Sequence, residues 1–155
     1  MRLPLRSSVV VGSALVVLGC ATGGSMMSTP DAINARQALM KEQGKAMQSI
    51  GGKVKGGQIQ AVASDAEKLA ETSKKIASLF PQGSLDPKTS RAKPEIWQKW
   101  SEFEGNAKRL EAKATQLAAT ARTGNAEATR AAVGDLGKTT CGVCHNAFRG
   151  PEIKK

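Results

Sequence analysis

Residues 59–80 read IQAVASDAEKLAETSKKIASLF, and within them Ile59, Val62, Ala66, Leu69, Ser73, Ile76 and Phe80 follow one another in steps of three and four. At about 3.6 residues per turn, that spacing gathers small and apolar side chains on one helix face and leaves lysines and glutamates on the other. Pro81 closes the run, because its ring cannot continue the helix. This is the most regular pattern in the chain. It predicts a long amphipathic helix whose apolar face needs a partner.

The partners follow the same rule. Upstream, Ile33, Met40, Met47 and Val54 recur every seven residues with Ile50 between them, after Thr29 as cap and Pro30 at the first helical position. The Gly-rich segment 51–57 should end that helix in a flexible turn. Residues 81–93, with Pro81, Gly83, Asp86 and Pro87, read as a long loop. A third helix opens around Lys93-Pro94-Glu95 and carries Ile96, Trp100, Phe103, Ala107, Leu110, Ala114, Leu117 and Ala121. Gly124-Asn125 breaks it, and a fourth carries Ala126, Thr129, Val133 and Leu136 on through Cys141 to Phe148, where Gly150-Pro151 stops it. Sustained steps of three and four mark helices that pack at shallow angles. The expected fold is all-α, an antiparallel four-helix bundle over residues 30–155. Abundant Ala, Leu, Lys and Glu, with few aromatics and no tyrosine, suit it.

The last helix holds Cys141-Gly142-Val143-Cys144-His145, the pattern of covalent c-type haem attachment. Positions three and four apart share a helix face, so both thiols and the imidazole can point at one flat ligand. Cys141 and Cys144 would form thioethers with the haem vinyl groups, and His145 would bind the iron from one side. A single such motif implies one covalent haem c. A structural zinc site wants four Cys or His ligands, whereas His145 is the only histidine and Cys20 the only further cysteine. A thioredoxin-like pair needs strands alternating with helices, and the sequence has almost no strand pattern.

The N-terminus bears on where attachment occurs. Arg2 and Arg6 precede an apolar run from Val9 to Leu18, too short to span a bilayer and suited to the core of a signal peptide over residues 1–19. The expected location is the periplasm of a Gram-negative bacterium. Val17-Leu18-Gly19-Cys20 resembles a bacterial lipobox, in which cleavage precedes a lipidated cysteine. A lipid anchor at Cys20 would account for the cysteine left over once haem consumes the other two. An ordinary cut a few residues later, discarding Cys20, is the alternative. Residues 20–29, rich in Gly, Ser and Thr, would form a flexible tether. The formal charge of +10 falls to +8 without Arg2 and Arg6. Nucleic acid is not the expected partner of an exported domain; acidic redox proteins or anionic lipid headgroups are, and many of the lysines simply suit a solvated surface.

Beside the haem motif, two further stretches carry a family resemblance. CGVCHNAFR at 141–149, RQALM at 36–40 and KPEIW at 93–97 together resemble the cytochrome c prime family, the class II c-type cytochromes, over essentially all of the chain after Pro30. The resemblance implies that Arg36 and Gln37 approach the haem propionates, where an arginine fork suits a carboxylate. It implies that Arg149 lies near the proximal face, where it would also be a favourable cation at a helix C-terminus. From the loop, Arg91 or Lys93 could reach a propionate too. Trp97 and Trp100 would pack the bundle or shield a haem edge.

The resemblance also makes Met40 the distal residue. In most members of the family the iron stays five-coordinate beneath an apolar side chain there, while a low-spin branch uses methionine as sixth ligand, and residues 39–47 look rather like that branch. Thioether ligation raises the reduction potential and closes the iron to gases; an open apolar pocket admits nitric oxide or carbon monoxide. Met40 at heptad spacing also suits plain core packing, as does Met47. The expected function is single-electron transfer by an exported haem c protein, with gas binding at a five-coordinate iron as the alternative. Catalysis is not expected, since no distal histidine or acid–base pair stands out. Many relatives dimerise, so a homodimer is an open expectation.

Overall fold

The computed structural model describes residues 27–153, so the expected signal peptide, Cys20 and most of the tether lie outside the described residues. The chain folds into α1 (Thr29–Lys55), α2 (Val62–Ser73), α3 (Glu95–Gln98), α4 (Trp100–Arg122), α5 (Ala126–Leu136) and α6 (Val143–Phe148). A 3₁₀ turn, Ala77–Leu79, extends α2, and a π-helical segment, Gly137–Gly142, joins α5 to α6. The result is a four-helix bundle whose four rods are α1, α2 with its turn, α3 with α4, and α5 with α6. Among the described residues no helix is long and apolar enough to cross a membrane.

Each rod departs from its sequence-derived outline in an instructive way. The first starts one residue early, with Ser28 as N-cap accepting from the Asp31 amide, and ends inside the Gly-rich segment as expected, though only at Lys55. The buried Ile50 and the Lys53 ammonium, which bonds Asp65 and the Ala61 carbonyl at 2.8 and 3.0 Å, hold the last turn in place. Packing of this kind outweighs the roughly 1 kcal/mol that a helical glycine costs. The reversal comes at Gly57, whose φ of +74° favours a residue without a Cβ.

The second rod keeps its apolar face to the end, with Ile76 and Phe80 both buried, but regular α-helix ends at Ser73. There the Thr72 and Ser73 hydroxyls bond back to carbonyls at Lys68 and Leu69, a habit that loosens and bends helices. The third rod is interrupted at Lys99 (φ −119°, ψ 46°). Trp97, just before the break, donates its indole N–H to the Phe80 and Pro81 carbonyls at 3.1 Å, tying this rod to the end of the second. The fourth rod widens at Gly137–Gly142, where two glycines flank Thr139 and Thr140, each bonded to the carbonyl four residues back.

Between α2 and α4 lies the most extensive helix contact. Alanines line it on both sides: Ala63, Ala66 and Ala70 against Ala107, Ala114, Ala118 and Ala121, all buried. Small side chains let the two axes approach, and Val62, Leu69 and Leu117 fill what remains.

Candidate cofactor cavity

One end of the bundle is hollow. A cavity of about 640 Å³ opens there, inside the range of about 300–1,000 Å³ usual for small-molecule sites. The first rod contributes Arg36, Gln37, Met40 and Met47 to its wall; the last contributes Cys141, Cys144, His145 and Arg149. Phe80, Ile96, Phe103 and Phe148 line it between them. Every candidate site residue among the described ones therefore borders the same space.

Their order is fixed by one loop. Arg36, 3% exposed, donates from Nη1 to Ser84 Oγ at 2.9 Å and from Nη2 to the Ser84 carbonyl and Ser90 Oγ at 2.8 and 2.9 Å. Its guanidinium carbon lies 4.7 Å from the centre of the Phe80 ring. Gln37 is exposed on its outer side and donates to the Thr89 carbonyl at 2.7 Å. The same loop then pairs with the end of the last rod in an isolated antiparallel bridge, Ala92 to Arg149, with Gly150 N donating to the Arg91 carbonyl at 2.7 Å and Lys93 N to the Phe148 carbonyl at 3.0 Å. Arg91 Nε adds a bond to the Gly150 carbonyl at 2.9 Å, and the Lys93 ammonium one to the Ala147 carbonyl at 2.9 Å.

Arg36 and Arg149 thus mark the loop-closed end of the cavity. From there α1 runs inward through Met40 to Met47, and the last rod runs inward through His145 to Cys144 and Cys141. Met40 is four residues from Arg36 and His145 four from Arg149, so each lies about 6 Å, one helical turn, inward from the arginine on its own rod. Met47 lies nearly two turns deeper, toward the cysteines.

Burial lowers the His145 pKa, and the positive charges of Arg149 and Arg91 lower it further, which favours the neutral imidazole that a metal can bind. Burial, with Cys141 beside it, pushes the Cys144 thiol up to about 11. Burial also lowers the Arg36 pKa, yet the guanidinium has only neutral partners among the described residues. Three of its five N–H groups are used. A buried cation without a counter-charge calls for an anion at this end of the cavity.

Sequence reasoning passed over several wall residues. Ser90 on the wall, and Ser84 behind it as a partner of Arg36, lie in a loop that carried no signal beyond turn chemistry. Gln43 and Asn106, 9% and 4% exposed, interrupt otherwise apolar faces of α1 and α4, and that interruption was the available sign. Glu152 and Ile153, beyond the helix stop at Gly150-Pro151, also reach the cavity, with Glu152 3.9 Å from Arg91.

A helical bundle hollow at one end, with a Cys-x-x-Cys-His helix on one wall and methionines on the facing one, defines the class of bundle-type c-haem proteins. The chain belongs to the cytochrome c' family, whose model matches residues 31–149 and whose members bind a covalent haem c. It is 32% identical over 148 residues to a cytochrome c' of Rhodopseudomonas palustris, covering 94% of this chain and 96% of that one. It is also 31% identical over 152 residues to a cytochrome c-556 of the same organism, covering 94% and 97%. Among solved structures it resembles a cytochrome c' with an unusual ligand-controlled dimer dissociation, at a TM-score of 0.72 and 29% identity over 80% of this chain and 98% of the other.

Proposed function

We propose that the chain is an exported cytochrome that passes single electrons through one haem c held in this cavity, with Met40 as the distal ligand. The wall chemistry suits the group: two thiols three residues apart, a neutral imidazole, an apolar interior and a buried arginine without a counter-anion. Cys141 and Cys144 would anchor the ring, His145 would hold the iron, and Arg36 with Gln37 would take the propionates. Burial, with the charge of Arg149 beside the proximal wall, would disfavour protonation of the imidazole. The haem supplies one-electron chemistry at a potential set by its axial ligands and by the polarity around them. The observation that carries the assignment is that Met40 on the first rod and the Cys141, Cys144 and His145 set on the last line one apolar cavity, each within a turn or two of an arginine at its loop-closed end.

The absorption spectrum of the reduced protein with and without carbon monoxide tests it. A low-spin spectrum unmoved by the gas is expected; a high-spin spectrum that shifts would overturn Met40 ligation. The second reading is then gas binding at an open iron, favoured by likeness to solved cytochrome c' variants that hold nitric oxide or carbon monoxide. His145→Ala should keep the haem attached while changing the iron spectrum.

Export to the periplasm, an anchor on Cys20, a homodimer and acidic redox partners complete the proposal. Membrane fractionation with a Cys20→Ala comparison tests the anchor, and sedimentation tests the dimer. We assign no catalytic step to the cavity: Glu152, the carboxylate on its wall among the described residues, pairs with Arg91 at 3.9 Å.

A further inference from the structure

The cavity reaches the surface along one flank of α1. Gln37, Lys41, Gly44 and Gln48 follow one another in steps of four, three and four, and all of them are exposed. This stripe runs beside the inward row of Arg36, Met40, Gln43 and Met47, and Gln37 and Gly44 themselves border the cavity. Glu42, on the other flank of α1, reaches Lys68 of α2 at 3.0 Å. The stripe therefore turns away from α2 and toward the last rod.

Charge and a glycine set this opening apart. Lys41 and Lys45, one turn apart and both exposed, form no ion pair among the described residues, while Arg149 and Arg91 stand at the loop-closed end. Glu152, the carboxylate on the wall, lies 3.9 Å from Arg91. The rim is thus net basic. Gly44 sits in the middle of a long helix, which a glycine weakens, yet a Cβ added there would meet no atom of the protein within 4 Å. Packing within the chain does not demand it. Its effect is to leave the edge of the cavity bare.

We propose that this opening is the surface for electron exchange, and that it fits an acidic one-electron carrier protein whose carboxylates face Lys41 and Lys45 and whose redox centre approaches across Gly44. The inference rests on the haem occupying the cavity as proposed above. One electron crosses in each encounter, lost by the reduced centre and gained by the oxidised one, and no bond forms or breaks. Complementary charge speeds the encounter, and the missing side chain shortens the gap. An anionic lipid surface would match the lysines but has no use for a bare edge.

Stopped-flow oxidation of the ferrous holoprotein tests it, with hexacyanoferrate(III) as the anionic probe and tris(phenanthroline)cobalt(III) as the cationic one. Lys41→Gln/Lys45→Gln should slow the anionic probe about threefold in about 0.1 M salt and speed the cationic one, both effects vanishing in about 1 M salt. Lys55→Gln/Arg130→Gln removes as much charge at the far end of the bundle, where Lys55 is about 15 Å from Lys45 along α1, and should change either rate less than about 1.5-fold. Equal slowing by the two pairs, or none by the first, overturns the inference. Gly44→Leu should raise the melting temperature of the haem-free Cys141→Ala/Cys144→Ala protein, because leucine favours the helix, and in the holoprotein should slow both probes at an unchanged spectrum. A lower melting temperature would show that packing holds the glycine, an altered spectrum that it makes room for the ring, and unslowed exchange that the contact lies elsewhere; each overturns the inference. So does lysine-dependent sedimentation with phosphatidylglycerol vesicles at unmoved probe rates, which would assign the lysines to a membrane. A preparation without covalently held haem overturns the proposed function and this inference together, whereas attached haem with exchange independent of Lys41 and Lys45 overturns this inference alone.

Discussion

Across its middle the bundle changes character. In the half formed by the end of α1, the start of α2, the second half of α4 and α5, the residues Ile50, Val62, Ala66, Ala114, Leu117, Ala121 and Leu136 have no exposed surface at all. In the other half the helices enclose a void, and Met40, Met47, Cys141 and Cys144 on its walls are only half-buried. Both halves are written in the same steps of three and four, because that period reports which face turns inward and not whether the inside is filled. Side-chain size separates them. Alanine meets alanine in the solid half, whereas all three phenylalanines and both tryptophans stand in the hollow one. Phe103 anchors that aromatic group, its ring 4.8 Å from Phe80, 5.6 Å from Trp100 and 5.4 Å from Phe148. Stability is concentrated where the chain packs against itself, and chemistry where large rings hold it apart.

The largest expected effect breaks the hollow half. Replacing Cys141 and Cys144 together by Ala removes both anchors, and a denaturing gel stained for haem should show complete loss of covalent cofactor. Far-ultraviolet circular dichroism of the same variant should retain most of its helical signal, because the solid half contains no cavity residue from the last rod. Loss of all helix would show that the two halves do not differ as described.

The converse breaks the solid half. Leu117→Ala deletes a fully buried side chain and should cost about 3 kcal/mol, lowering the melting temperature by about 10 °C. The haem spectrum of the folded variant should be unchanged. In the Cys141→Ala/Cys144→Ala protein, which holds no covalent haem, a comparable loss from Met40→Leu, a swap of similar volume that ordinarily costs under about 1.5 kcal/mol, would contradict the assignment of Met40 to a void wall.

Arg36 sharpens the contrast because its effect should depend on the cofactor. With haem bound, Arg36→Met removes a charged partner from a carboxylate and should cost about 2 kcal/mol. In the Cys141→Ala/Cys144→Ala background the same change removes a buried cation without a counter-charge, so stability should hold within about 1 kcal/mol or rise. Equal losses in both backgrounds, read by thermal melts, would make Arg36 a structural clamp for Ser84 and Ser90 only.

The sequence made the four rods legible because amphipathic periodicity survives local irregularity. Ile76 and Phe80 stay buried although the helix beneath them has tightened, and Cys141 stays on the cavity wall although the backbone there has widened. The irregularities were not legible, since they arise from hydroxyls bonding back to carbonyls at Thr72, Ser73, Thr139 and Thr140. A hydroxyl has that option at any helical position. The wall residues Cys141, Cys144 and His145 could be read from a local motif, and Arg36, Gln37, Met40 and Arg149 from resemblance. The loop that closes the cavity could not. Its place depends on Arg36 reaching Ser84 and Ser90, 48 and 54 positions away, and on the bridge from Ala92 to Arg149, which is equally remote in sequence.

The smallest expected effect lies in the solid half, at the ion pair between Lys53 and Asp65. Their 2.8 Å contact closes the turn between α1 and α2, with side chains 23% and 20% exposed. Burial pushes the Asp65 carboxyl upward, but hydrogen bonds from Lys53 and Ser49 and the charges of Lys53 and Lys68 outweigh it, holding the pKa below the ordinary 3.8. Between the folded value and 3.8 the unfolded chain binds the proton more readily, so stability rises with pH across that window. The contribution is fully present above pH 3.8 and is lost as pH falls through the folded value. Solvent and salt screen a pair this accessible, which limits it to about 0.5–1 kcal/mol. Asp65→Asn should therefore lower the melting temperature by a few degrees at neutral pH, and the difference from the parent protein should vanish as the pH is brought below the folded pKa. Melting curves that stay parallel down to that pH would show that the pair contributes through packing and not through charge. A shift of the haem spectrum in this variant would show that the solid half governs the hollow one.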